Sequence, residues 1–355
     1  MLGERIHYAR SADGARIAWT ARGKGPRTLV QASTHLGDFK RDWDNPIAAP
    51  AQARLTQHFR VIRYDHRGSG SSQRNVQRQG QDAWVEDLEA VTRAANIREP
   101  FVLMAMSQAG PFAAVFAARN AARLSHLVIY GAAAAGPYAG GDADSIAMRK
   151  AMVEMTRVGW SNDFPGPRRL VMNNLVIDAT AEETEWFDRN SRAVADAEDQ
   201  ARFLEADGDC DARPYLSKIA TPTLVMQADQ DTCVIPEWSR AFAAGIPGAQ
   251  YVEIPGKNHI PLERDPGYEH FFQHLFDFTL GKAWVDGPLA ALSAREREIL
   301  DDVCAGLSNE AIALRRNIST KTVRNHLTKV FDKLGVISRT QAVLAVHSRQ
   351  RAMAE

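Results

Sequence analysis

Cysteine is scarce in this chain of 355 residues: Cys210, Cys233 and Cys304 stand far apart and are its only three. They make no disulfide framework and no metal-like spacing, and they point to a reducing compartment. The 10 histidines form no paired spacing either, so neither a metal site nor a cofactor is expected. No run approaches the roughly 18 apolar residues of a membrane span. The N-terminus lacks the charged region followed by an apolar one that marks a signal peptide. Together these absences predict a cytoplasmic protein without a membrane partner. Gly68-Ser69-Gly70 is followed by no Lys-Ser/Thr pair, which excludes a phosphate loop. Internal repeats and low-complexity tracts are absent as well.

Net charge is the last thing missing, with 43 Lys and Arg against 43 Asp and Glu. The balance is local, however. From Leu292 onward basic residues exceed acidic ones by four, and the preceding chain carries the opposite excess. Attraction to double-stranded DNA therefore belongs to a basic tail carried by a mildly acidic body. The length suffices for one large domain and one small one.

The tail, residues 292–355, is patterned for helices. Ser293 and Glu296 have the spacing of a capping box, Ser308 and Ser319 are good N-caps, and Asn317 tolerates the left-handed conformation that ends a helix. In the helix after Ser319, the residues Val323, Leu327, Val330, Phe331 and Leu334 share one face. Lys321, Arg324, Asn325, Thr328 and Lys329 fall on or beside the other, the division that a helix reading a major groove requires.

This stretch resembles the LuxR-type helix-turn-helix. The resemblance rests on Leu-Ser-x-Arg-Glu-x-Glu-Ile-Leu, Gly-Leu-Ser-Asn-Glu, Ile-Ser-x-Lys-Thr-Val-Arg-Asn-His, Lys-Leu-Gly-Val and Ser-Arg-Thr-Gln-Ala. It implies DNA contacts from Ser319, Lys321, Thr322, Arg324, Asn325, Thr328 and Lys329, with Arg339 and Thr340 positioning phosphates. A homodimer on paired half-sites is expected, with Ala342, Val343, Leu344 and Val346 of the last helix as its surface. One position departs from the pattern: Arg316 stands where an apolar residue is usual, and Leu314 is the nearest substitute.

The body alternates strands with helices, which predicts a parallel sheet covered on both faces. A hairpin over Ile6–Thr20 turns at Asp13-Gly14, and strands follow at Thr28–Ala32, Phe59–Tyr64, Phe101–Met106 and Leu127–Tyr130. From about 138 to 211 strand-like runs vanish, which reads as a helical insertion over the functional end of the sheet. The rhythm resumes at Pro222–Gln227 and Gln250–Ile254 and closes with a helix over Tyr268–Leu280. Residues 281–291 read as a linker.

Ser107 sits on a tight turn between a buried strand and a helix, flanked by the small residues Ala105 and Ala109. That is the arrangement of a nucleophile elbow. Asp231 and His259 each follow a later strand, giving the order of a Ser-His-Asp relay. Asp229 competes for the acid role, and spacing favours Asp231. Oxyanion donors would be the backbone N–H of Gln108 and, from the loop after the Thr28–Ala32 strand, that of Ser33. Trp160, Phe164, Trp186 and Phe187 are candidates for lining a ligand pocket beneath the insertion, with an ordinary core role as the alternative for each.

Tyr64-Asp65-x-Arg67-Gly68-x-Gly70-x-Ser72, the Ser107 elbow, Asp229-Gln-Asp231 and Asn258-His259 together resemble the α/β-hydrolase fold over residues 1–280, apart from the insertion. The architecture expected is therefore an α/β-hydrolase fold with a helical cap, followed by a small all-α helix-turn-helix domain. Two functions remain open. One is a transcription regulator whose body senses, and can hydrolyse, a small apolar ester- or lactone-like ligand. The other is an active serine hydrolase of esterase or lactonase type with an accessory DNA-binding tail.

Overall fold

The computed structural model describes residues 5–281, 292–336 and 338–352. It divides into two compact units, with the boundary at Leu275/Phe276, slightly ahead of the end expected near residue 280. The linker expected over 281–291 lies, apart from Gly281, outside the described residues.

The first unit is built on eight strands: β1 (His7–Arg10), β2 (Arg16–Arg22), β3 (Arg27–Gln31), β4 (Phe59–Tyr64), β5 (Phe101–Met106), β6 (Leu124–Tyr130), β7 (Thr223–Ala228) and β8 (Gln250–Ile254). Their order across the sheet is β1-β2-β4-β3-β5-β6-β7-β8. β1 pairs antiparallel with β2, and β2 with β4, while every later pairing is parallel. The hairpin turns where expected. Gly14 takes a φ of 87°, and Asp13 Oδ1 accepts from the Ala15 N–H at 3.1 Å. The parallel strands read as continuous apolar runs because both faces are covered. In β5 every residue from Phe101 to Ala105 is buried.

Helices connect these strands: α1 (Ala49–His58), α2 (Gln81–Ala94), α3 (Ala109–Arg119), α4 (Ala143–Gly159), α5 (Gly166–Leu175), α6 (Ala181–Val194), α7 (Ala197–Gly208), α8 (Arg213–Leu216), α9 (Pro236–Ala244) and α10 (Tyr268–Leu280), the last crossing into the second unit. α2, α3 and α9 pack with the sheet into one core that includes Leu88, Val91, Phe112, Phe116, Leu127 and Phe242. The four helices α4–α7 stand between β6 and β7, where strand signals fade from the sequence. Their starts are chemically specified: Asp142, Thr180 and Asp196 accept from the third backbone N–H beyond them, and Thr180 with Glu183 forms a capping box.

The loop after β4 is organised by charge. Arg67 is fully enclosed and meets Asp87 through two bonds of 2.6 and 2.7 Å and Asp13 at 2.7 Å. A buried guanidinium is tolerated only when its donors are satisfied in this way.

The second unit contains α11 (Ala294–Cys304), α12 (Asn309–Arg316), α13 (Thr320–Leu334) and α14 (Arg339–Ala352). Ser293 and Glu296 form the expected capping box, Ser308 and Ser319 cap the next two helices, and Asn317 adopts φ 53°. Ile299, Val303, Ile312, Val323 and Leu327 make one small core, and Leu292, Leu300, Val330 and Ala342 make another. Two expectations need correction. Leu314 is 86% exposed and fills no gap. Arg316 instead tethers α12 to α11 through Asp302 at 2.6 and 3.1 Å and Glu298 at 2.9 Å, so an ion-pair latch replaces the apolar contact. On α14, Ala342 is buried and Val343 and Val346 pack inward, leaving Leu344 as the exposed member of the four residues assigned to a dimer surface.

Candidate active site and nucleic-acid interface

Strand order places the site. The chain moves outward from β3 to β4 and then returns to put β5 on the other side of β3, and ligands of open α/β sheets bind at such a switch point, beyond the strand carboxyl ends. Ser33 and Ser107 follow the two strands that flank it. Ser107 takes φ 53°, a conformation costing a non-glycine residue on the order of 1 kcal/mol or more. The sheet holds it there: its N–H donates to the Tyr130 carbonyl at 2.9 Å, and its own carbonyl accepts from Gly110 at 2.9 Å. Ala105 and Ala109 are both fully buried, so the turn closes with alanine where glycine is usual on either side.

His259 and Asp231 meet at 2.7 Å, from Nδ1 to Oδ2, and both are almost wholly buried. The carboxylate can only accept, so the imidazole proton sits on Nδ1 and Nε2 is left as the base. Asp231 also accepts from Gln227 Nε2 at 3.0 Å and from the N–H groups of Cys233 and Val234 at 2.8 and 3.1 Å. Burial pushes its pKa up, but the His259 hydrogen bond and charge, with those two N–H groups, bring it below the usual carboxylate value. Asp229 does not compete. It is exposed and accepts from the Gly256 N–H at 2.9 Å. Gly131, at φ 56°, leaves room for the ring: a Cβ there would stand 3.0 Å from His259 Cε1. The His259 N–H donates to the Leu175 carbonyl at the end of α5, which ties the histidine loop to the inserted helices.

Ser107 and His259 open on one cavity of about 400 Å³ with mainly apolar walls, a volume suited to a small molecule. Met104, Met106, Met172, Leu175 and Phe203 supply much of those walls. Trp186 and Phe187 line it as anticipated, whereas Trp160 and Phe164 do not. Trp160 is completely buried at the end of α4, where its carbonyl accepts from Arg168. Phe164 lies on the α4–α5 loop and is 69% exposed. Gln108, at the start of α3, lines the cavity next to Ser107. Ser33, after β3, is buried and lines the same cavity.

Sequence reasoning missed several wall residues. His35 stacks on Phe203 at 4.0 Å and meets Gln108 Nε2 through Nδ1 at 2.6 Å. Arg149 of α4 and Cys233 also line the cavity. No sequence pattern marks Arg149 among the helices of the insertion.

In the second unit, Lys321, Arg324, Asn325, Thr328 and Lys329 are all exposed on α13, opposite the buried Val323, Leu327 and Val330. Ser319 Oγ accepts from the Thr322 N–H at 3.1 Å and meets Thr322 Oγ1 at 2.8 Å, so these two hydroxyls fix the helix start. Arg339 departs from its expected role. Its guanidinium turns inward to the Leu307 carbonyl and to Asn309 Oδ1 at 3.3 Å, bracing the α11–α12 turn, while Thr340 is exposed.

Comparison with known proteins accords with this division. A family model described as "alpha/beta hydrolase fold" matches residues 36–266. A second, "Bacterial regulatory proteins, luxR family", matches residues 290–346. The chain is 45% identical over 64 residues to a probable HTH-type transcriptional regulator, GfsR, of Streptomyces halstedii, a match covering 18% of this chain and 26% of that protein. It thus spans about a quarter of that relative's length. It is 29% identical over 213 residues to the probable transcriptional regulatory protein SgaR of Hyphomicrobium methylovorum, covering 60% of this chain and 78% of that one. Among solved structures, the enol-lactonase from Burkholderia xenovorans LB400 superposes with a TM-score of 0.62 at 23% identity, over 77% of this chain and 99% of that one. The esterase from Thermogutta terrifontis superposes with a TM-score of 0.63 at 22% identity, over 78% and 99%. Likeness at this level of identity speaks for the fold.

Proposed function

Since the chain belongs to the alpha/beta hydrolase fold family and carries a C-terminal regulatory domain of the luxR family, we propose that it is a DNA-binding transcription regulator that senses a small ester- or lactone-like molecule in its hydrolase body. One observation carries the reading: a Ser107–His259–Asp231 constellation opens on a ligand-sized cavity in the same chain as an exposed basic helix. Free hydrolysis has no use for that helix, and DNA binding alone has no use for the buried relay. Attack of Ser107 Oγ on the ligand carbonyl, with its proton passing to His259 Nε2, breaks the ester C–O bond; His259 returns that proton to the departing alcohol oxygen, and water, deprotonated by the same histidine, then cleaves the acyl-serine to the free acid. A slow second step makes the acylated state itself the signal. The regulator acts in the cytoplasm as a homodimer, since modules of this kind bind paired half-sites.

The second reading, an active esterase or lactonase with an accessory tail, is favoured by the Asp231 carboxylate, which His259, Gln227 and two backbone N–H groups hold on both oxygens. A fluorophosphonate probe should label the wild type and not Ser107→Ala; equal labelling removes Ser107 as the nucleophile. Operator affinity with and without a short-chain ester then separates the readings. Sensing by occupancy changes affinity in both proteins, and sensing by reaction changes it in the wild type alone. An accessory tail gives no change in either.

A further inference from the structure

We infer that the ligand of this cavity carries a carboxylate in addition to its ester or lactone group, and that Arg149 binds it; the inference rests on the reading of Ser107 as a nucleophile in a ligand cavity. The lining holds two guanidinium groups, Arg63 and Arg149, and two carboxylates, Asp42 and Asp207. Their states differ. Arg63 is paired to Asp42 through Nη2, and its Nη1 is sealed from water without a partner, so this charge is closed into the wall. Arg149 uses Nη1 for Asp207 Oδ2 at 3.0 Å and the Leu204 carbonyl at 3.3 Å. The rest of its fork has no acceptor among the described residues, and 19% of the side chain stays accessible. A guanidinium held through Nη1 alone leaves Nε and Nη2, a planar pair of donors of the shape that a carboxylate meets with two parallel bonds.

The other lining groups point the same way. Both carboxylates of the wall are already held by arginine, so an amine-bearing ligand such as a peptide N-terminus finds no free acid to meet. His35 is no rival cation. With Gln108 Nε2 donating to its Nδ1, the ring proton lies on the other nitrogen, and burial, with His66 and Arg149 nearby, pushes the ring well below its usual pKa. Arg149 lines the same cavity of about 400 Å³ as Ser107, His259 and Cys233, so a small molecule whose carbonyl lies at Ser107 shares its walls with that guanidinium.

The test uses the full-length Ser107→Ala protein, which binds esters without consuming them, and three probes of similar length. Monomethyl adipate carries one negative charge, dimethyl adipate none, and methyl 6-aminohexanoate one positive charge. Calorimetry should find the monoester bound about tenfold or more tighter than the diester, as a hydrogen-bonded ion pair implies, and the amine weakest. Adding Arg149→Gln with Asp207→Asn removes both charges together, so no lone buried carboxylate remains. It should erase the preference while leaving the diester affinity in place. Equal binding of monoester and diester, preference for the amine, persistence of the preference in that variant, or no binding by any probe overturns the inference. Fluorophosphonate labelling of the wild type keeps the underlying reading separate. A labelled Ser107 without carboxylate preference sinks this inference alone, and an unlabelled Ser107 sinks the nucleophile assignment.

Discussion

The interior of the hydrolase body and the outer face of α13 handle charge in opposite ways. In the hydrolase body, Arg67 is wholly enclosed and answered by Asp87 and Asp13, and Asp231 has all its hydrogen-bonding capacity engaged around His259. In the C-terminal unit, Lys321, Arg324 and Lys329 stand in solvent on one face of α13. Enclosed charge must be paired or the fold loses several kcal/mol, whereas exposed charge can wait for a partner. The contrast teaches how to sort the arginines. Arg67, Arg316 and Arg339 hold the chain to itself, while Arg324, and in the body Arg149, keep donors in reserve.

The sharpest way to break the comparison is to disable one unit and ask whether the other notices. Asp231→Asn keeps an oxygen for the Cys233 and Val234 N–H groups but no longer holds His259 as a base. The rate at which Ser107 is acylated should fall by roughly 10,000-fold, the order seen when a relay acid is neutralised. Ligand-free operator affinity should stay at the wild-type value. Stopped-flow labelling and a gel-shift titration on the same preparation check both halves, and retained acylation would mean that the Asp231–His259 contact is structural only.

The converse substitution is Arg324→Ala. If this exposed side chain reads a base edge, specific DNA binding should weaken by about 1–3 kcal/mol, with Ser107 labelling unchanged. An equal loss on specific and random DNA would reassign Arg324 to the phosphates.

Much of this arrangement was legible in the sequence, unevenly and for physical reasons. The caps at Ser293, Ser308 and Ser319 are local, so adjacent residues specify them, and each forms as expected. The apolar stripe of α13 and the covered strand β5 follow from periodicity and continuous hydrophobicity. Asp231 and His259 meet because each trails a strand, and parallel strands deliver their ends to one edge of the sheet. What sequence could not show depends on directions set by tertiary packing. Trp160 and Phe164 were as aromatic as Trp186 and Phe187, yet one pair is buried or exposed elsewhere while the other faces the cavity. Arg339 looked like a phosphate contact until the Leu307 carbonyl claimed it, and Arg149 carries no sign among the many charges of α4. The helices α1 and α9 span only 10 and 9 residues, too short for periodicity alone to tell them from loop.

A smaller effect probes how α13 is aimed. Ser319 caps this helix by accepting the Thr322 N–H at 3.1 Å, and Ser308 caps α12 by accepting the Ala311 N–H at 3.2 Å. Replacing either by alanine removes the same kind of bond, at a cost of about 1 kcal/mol in local stability. The two should differ in consequence, because the first turn of α13 holds Lys321 and Arg324 just beyond it, while no groove-facing residue is assigned to α12. Thermal melts should therefore show similar losses for Ser308→Ala and Ser319→Ala in the C-terminal unit, with Ser107 labelling unaffected in both. Operator affinity should fall further for Ser319→Ala, by up to about fivefold if the whole capping energy is realised in the bound state. Equal losses of affinity would show that DNA binding tracks the stability of the unit and that the start of α13 need not be rigid to be read.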